Sequence, residues 1–153
     1  MDSKLYNGAA VTGNFIQSLL LIVIRLYFGF LFFAGGYAKV TNMGPFVGYF
    51  QQIGLSTSLA YVVAILELIC GILIFFGFLT RLASLVTSVI MISAYVVAHT
   101  AEFNSFFSDP SFFLSSKNFP YLFASLVLLF FGPGMISIDA ILKRKMIHKD
   151  PSN

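Results

Sequence analysis

The run Phe15–Gly35 holds about 21 residues, nearly all apolar, with a single charge, Arg25, at its centre. At 1.5 Å per residue a helix of that length reaches roughly 30 Å, the thickness of a bilayer's hydrocarbon core. A second run, Ser58–Phe78, has the same length and again one central charge, Glu67. A charge at membrane depth is costly and persists where something compensates it or uses it. The two runs therefore set two constraints. The chain spans a membrane, and its first two helices each carry a polar group that needs a partner.

Composition points the same way. The 153 residues are 58% hydrophobic and 10% charged, with a mean hydropathy of +0.90, where soluble domains carry about 25% charged residues. A third run covers Leu82–Ala98, and a fourth covers residues 118–131. Only Gly77–Arg81 separates the second run from the third, so these two form a tight hairpin, with Thr80 as a cap for the third and Ser56, Thr57 or Ser58 for the second. Asn118 caps the fourth run, Pro120 sits in its first turn, and Gly132-Pro133-Gly134 ends it. About 14 residues are short for a span and call for local thinning of the bilayer. Met135–Lys145 is apolar and then basic, the pattern of a short interfacial helix at the C-terminal end. The expected fold class is all-α: a polytopic membrane four-helix bundle in a single domain over residues 1–153.

An even number of spans puts both termini on one side. Lys4, Arg81, Lys143, Arg144, Lys145 and Lys149 would share that side, against Lys39 and Lys117 opposite, which places both termini in the cytoplasm. A cleaved signal is disfavoured, because its apolar core is normally about 7–15 residues and Arg25 would interrupt it. The basic C-terminal cluster then faces a membrane surface, not nucleic acid. Gly36–Thr57 and His99–Lys117 become outward loops, and the many Phe of the second imply that it packs on the bilayer interface, the bundle mouth or a partner.

With the first helix ending at Gly35 and the second starting at Ser58, Arg25 and Glu67 fall within one or two ångströms in depth, so an Arg25–Glu67 pair is expected. It is either a docking device or a polar, proton-handling site. Lys39, His99 and Glu102 lie at outer helix ends as a candidate mouth above it. Arg81 and Asp139 form a candidate cytoplasmic clamp. Gly29, Gly35, Gly36 and Gly71 allow close helix contact or room for a flat ligand. Cys70 is the one cysteine and reads as a small core residue. Two histidines without further metal-ligand spacing give no metal site, His148 lies in the basic tail, and no phosphate loop, dinucleotide fingerprint or nucleophile elbow is present.

In order and spacing, Arg25-x-x-x-Gly29 with Phe32, Gly36 and Lys39, then Glu67-x-x-x-Gly71, the Gly77…Thr80-Arg81 turn, His99 and Gly132-Pro133-Gly134…Ser137-x-Asp139 resemble the DoxX family over roughly residues 18 to 143. The resemblance implies a four-helix protein of the bacterial inner membrane, of a kind associated with quinone-linked oxidase and oxidoreductase systems. The chain departs from the family pattern at Ser115-Ser116-Lys117-Asn118-Phe119, where many members carry an acid. Three functions follow as expectations. The first is a quinone- or redox-associated membrane subunit, with a quinone as candidate cofactor and oxidoreductases as partner proteins. The second is a non-catalytic scaffold that docks through Phe106, Phe107, Phe112 and Phe113. The third is a proton or small-molecule carrier working as a homo-oligomer.

Overall fold

The computed structural model describes residues 3–149, with side chains for 13–146. Lys4, His148 and Lys149 lie outside the residues whose side chains are described. Among the described residues the chain is predominantly helical, without strands. Four helices form the bundle: α1 (Ser3–Thr41), α3 (Thr57–Phe76), α4 (Thr80–Val97) and α7 (Phe119–Phe131). They pack in a ring, α1 on α3, α3 on α4, α4 on α7 and α7 back on α1. Residues 13–41 of α1, all of α3 and all of α4 are long and apolar enough to cross a membrane. The fourth, α7, has 13 residues, roughly 20 Å, and falls short of a full span alone.

Exposed leucine, isoleucine, valine and phenylalanine cover the outside of the ring, Leu19, Val23, Phe30, Ile65, Leu85 and Val89 among them, while the interior holds Leu21, Phe32, Cys70, Ile74, Met91 and Leu128. An apolar exterior around a partly polar interior is the arrangement lipid requires.

Backbone contact joins α1 to α3. A Cβ at Gly29 would come 2.6 Å from the amide nitrogen of Phe75, and one at Gly36 or Gly71 would run into the backbone of Leu68 or Phe33. Gly35, one residue away, has open space around it. Lipid gives helices little hydrophobic reason to associate, so contact surface comes from small residues that bring backbones together. The α4–α7 seam adds a hydrogen bond between the buried hydroxyls of Ser88 and Ser125, 2.9 Å.

Two sequence expectations are corrected here. The first helix does not stop at Gly35, because Gly35 and Gly36 face the seam or open space without breaking the backbone ladder, and it continues to Thr41. The segments read as loops also fold. The first contains α2 (Met43–Gln52), and the second contains α5 (Thr100–Asn104) and α6 (Pro110–Leu114). At one end of the bundle, called here the lid end, α2, α5 and α6 lie over the helix termini. At the other, the tail end, are the α3–α4 turn, Gly132-Pro133-Gly134 and α8 (Ile138–Lys149).

Caps differ from expectation in a similar way. Ser56 caps α3 through the Leu59 amide, 3.3 Å. Thr80 does not cap α4. Leu79 holds the cap position at φ 48° without a side-chain bond, and the Leu79 and Thr80 amides instead donate to Asp139, at 2.8 and 3.0 Å. A distant carboxylate thus serves the amides at the start of α4 that lack an intrahelical acceptor and complements the positive end of its dipole. Gly77 takes φ 71°, the left-handed ending that glycine adopts without strain, and α3 closes with the Gly77 amide donating to the Ile74 carbonyl at 3.1 Å and the Phe78 amide to the Leu73 carbonyl at 2.9 Å.

Candidate functional site

The seam sets the register of the two charged helices. Gly29 meets Phe75, Phe33 meets Gly71, and Gly36 meets Leu68. Each step toward the end of α1 is one step back along α3. On that register Arg25 falls level with Leu79, and Glu67 falls level with Tyr37. About 12 residues of α1 separate them, roughly 18 Å. The expected Arg25–Glu67 pair does not form. The expectation aligned Gly35 with Ser58, whereas α1 runs on to Thr41 and the first turns of α3 lie beyond its end, beside α2.

Glu67 has another partner. Lys39 lies almost level with it and donates to its Oε2 as an ion pair. Glu67 is buried at 4% exposure, midway along α3. Lys39 sits in the last turn of α1, which the register sets about halfway along α3, and its Nζ also lies 5.0 Å from the centre of the Phe46 ring on α2. A lysine contacting both a carboxylate and an aromatic face has its charge compensated on two sides.

Beside this pair lies a cavity of about 540 Å³ between α2, α3 and α4. Phe46, Tyr49 and Phe50 roof it, Leu66 and Met91 form its walls, Lys39 and Glu67 supply its inner polar group, and His99 and Asn118 sit at its edge. Val62, Val89 and Val97 also line it and are exposed on the lipid-facing surface, so it opens laterally between α3 and α4. A mostly apolar cleft of several hundred Å³ with a few convergent polar groups is the usual form of a small-molecule site. His99 bonds Glu102 through Nδ1 at 3.2 Å, which places two of the three expected mouth residues together and turns His99 toward the cavity.

The lid over this end is aromatic. Phe113 of α6 is buried, stacks on Tyr95 at 4.9 Å between ring centres, and meets Phe106 and Phe119 edge-on. Asp109 begins α6 and accepts from the Ser111 and Phe112 amides. The Ser111 hydroxyl, followed by these amides, holds its carboxyl below the usual carboxylate range. Phe107 points outward at 93% exposure.

Arg25 belongs to the tail end. It is buried at 5% exposure, and one guanidinium nitrogen donates to the carbonyls of Pro133 and Ile136, at 3.1 and 2.7 Å. It holds the loop after α7 against the end of α3, where a Cβ at Gly77 would strike its guanidinium. The expected Arg81–Asp139 pair is also absent among the described residues. Asp139 is committed to the Leu79 and Thr80 amides, and Arg81 donates to the Phe130 carbonyl at 3.5 Å. Both residues clamp the tail end, each through backbone. The sequence reading missed the α2 aromatics, although Phe46, Tyr49 and Phe50 fall at i, i+3 and i+4, the signal of one helix face.

The DoxX family model matches residues 9–100. This chain belongs to the DoxX family. The DoxX chain is 36% identical over 75 residues to "Putative oxidoreductase CatD" of Bacillus subtilis, a match over 49% of this chain and 56% of that protein. It thus spans about half the length of that relative. It is 28% identical to "Inner membrane protein YqjF" of Escherichia coli, covering 85% of this chain and 97% of the relative. It is 29% identical to "Uncharacterized membrane protein Rv3486" of Mycobacterium tuberculosis, covering 82% of each. No solved structure matches the chain.

Proposed function

We propose that this DoxX protein is a quinone-binding membrane subunit working with partner oxidoreductases, and that the quinone headgroup occupies the cavity beside Lys39 and Glu67. The observation that carries the reading is the cavity itself. Its volume, its lateral opening and its aromatic roof fit a flat ring on an isoprenoid tail, and the ion pair provides a donor at its inner wall. Bound quinone supplies a two-electron acceptor that no side chain offers. The chain's own residues do the rest. With a quinone bound, Lys39 would be the donor for a ring carbonyl, Glu67 would hold or release a proton at its carboxylate, His99 and Glu102 would connect the cavity edge to the lid end, and the apolar walls would exclude water. The name of the Bacillus relative is in keeping with this reading. The proposal includes an inner-membrane location with the tail end cytoplasmic, because the exposed Arg81, Lys143, Arg144 and Lys145 all lie there.

The test is quinone retention. Protein extracted in native-lipid nanodiscs and read by native mass spectrometry should carry a prenylated quinone. Glu67→Gln and Lys39→Met should each reduce it about tenfold or more, while Arg25→Lys should not. Retention unchanged in both cavity variants contradicts the proposal.

The outward Phe107 favours one alternative, a docking role for the lid end. Phe107→Ser should then release a co-purifying protein while leaving quinone retention intact. Phe113→Ser is unsuited to that question because Phe113 is part of the lid's own packing.

A further inference from the structure

The tail end holds a second cavity that the quinone reading leaves unused. It is an open basin of about 860 Å³. Its origin is geometric. The register that sets Arg25 level with the α3–α4 turn also makes α1 project past that turn. The basin lies between this projection, the start of α4, the loop after α7 and the first turns of α8. Asn14, Gln17 and Ser18 of α1 line one side, Arg81 of α4 and Lys143 of α8 stand on others, and Leu21, Leu82 and Phe131 form an apolar wall.

We propose that this basin binds the phosphate headgroup of an anionic phospholipid from the adjacent leaflet. Three observations support it, independently of the quinone reading. First, two cations from different helices share one cavity, and both Arg81 and Lys143 are exposed. Arg81 makes one long bond, 3.5 Å to the Phe130 carbonyl, which leaves most of its five donors for a ligand. Second, the groups that would repel an anion are occupied. The Pro133 and Ile136 carbonyls are turned onto buried Arg25, the Gly134 carbonyl accepts from Ser137, and Asp139, which lines the basin and keeps its charge, has both oxygens turned onto the Leu79 and Thr80 amides. Arg25 behind the loop adds a further positive charge. Third, the surroundings are lipid-facing. Phe15, Ile16 and Leu19 on the α1 projection are exposed, as are Met135 and Ile136 in the loop. Ile138, Ile141, Leu142 and Met146 form an exposed apolar stripe at helical spacing along α8. A polar cup rimmed by exposed apolar side chains suits a molecule with a charged head and acyl chains. A soluble anion would gain nothing from that rim. Basic pockets at helix ends on the cytoplasmic side are recognised lipid headgroup sites, and the proposed orientation, though not the quinone, puts this basin there.

The experiment uses the full chain in nanodiscs of phosphatidylcholine doped with phosphatidylglycerol, with retained lipid counted by native mass spectrometry after release. The expected result is selective retention of phosphatidylglycerol by the parent protein. A loss of roughly thirtyfold is expected in Arg81→Gln/Lys143→Gln, from about 1 kcal/mol per cation near the surface. The charge-matched Arg144→Gln/Lys145→Gln variant removes the same net charge outside the basin and should retain the lipid. Lys143→Glu alone, on an exposed position of α8, gives the same reading without touching α4. Equal loss in the charge-matched variant, or no loss in either basin variant, overturns the proposal. Displacement of the lipid by millimolar inorganic phosphate would assign the basin to a free anion and overturn it too.

Discussion

At the scale of single residues, the two membrane charges have different work. Lys39 compensates Glu67 inside the bundle, and Arg25 ties a loop to its end. Breaking a buried pair by removing one partner leaves an uncompensated charge, which costs several kcal/mol. Lys39→Met should therefore destabilise the protein by about 3 kcal/mol, and adding Glu67→Gln should recover much of that. Reversible unfolding in mixed micelles measures both. Arg25→Met combined with Glu67→Gln should be additive within about 0.5 kcal/mol, because the two lie far apart and share no partner. A coupling energy well above that would show that they meet after all. Glycines separate just as sharply. Gly36→Ala must push against the Leu68 backbone and should cost about 1–3 kcal/mol, whereas Gly35→Ala, with open space around it, should be nearly neutral. Equal effects on the same unfolding assay would contradict the seam.

Among the elements, the short helices carry the detail. The hydroxyl and amides that bond Asp109 depress its pKa. Its capping contribution is accordingly present above the ordinary carboxylate range and is lost as pH falls through its lower native value. Amide exchange at α6 should stay slow through mildly acidic pH and rise only below the usual carboxylate range, earlier than exchange in α4. Asp109→Ala should show fast α6 exchange at every pH. At the other end, Asp139→Ala strips two α4 amides of their acceptor and should cost about 1–2 kcal/mol, seen as fraying confined to the α3–α4 turn. Of these elements, hydropathy made the four bundle helices legible, since a run of apolar residues has one reading in lipid. The elements at the lid end were not legible as helices. Glycine, glutamine and tyrosine in Gly36–Thr57 look like loop residues, and α2 is stabilised by what it covers, not by its own propensity.

The whole molecule turns on one quantity that the sequence does not display, the register between α1 and α3. Arg25, Glu67, Lys39, His99 and Asp139 were all legible as residues of interest because polar groups stand out in an apolar chain. Their pairing was not, because it depends on how far α1 continues past Gly35, and glycines that serve close approach look identical to glycines that end a helix. The register divides the candidate site in two: a cavity with an ion pair toward the lid, and a clamped, cationic basin at the tail. The same arrangement predicts topology. Single cysteines at exposed Lys143 and exposed Phe107 should be labelled by an impermeant maleimide from opposite sides of the membrane, the first only after the cytoplasmic face is opened. Labelling of both from one side would contradict the proposed orientation. The most direct measurement of the central claim is photo-crosslinking with an azido-quinone in nanodiscs, followed by peptide mapping. The account predicts label on the cavity walls, in α2 around Phe46 and Phe50 or in α4 around Met91, abolished by Glu67→Gln. Label confined to the loop around Arg25, or none above background, would contradict it.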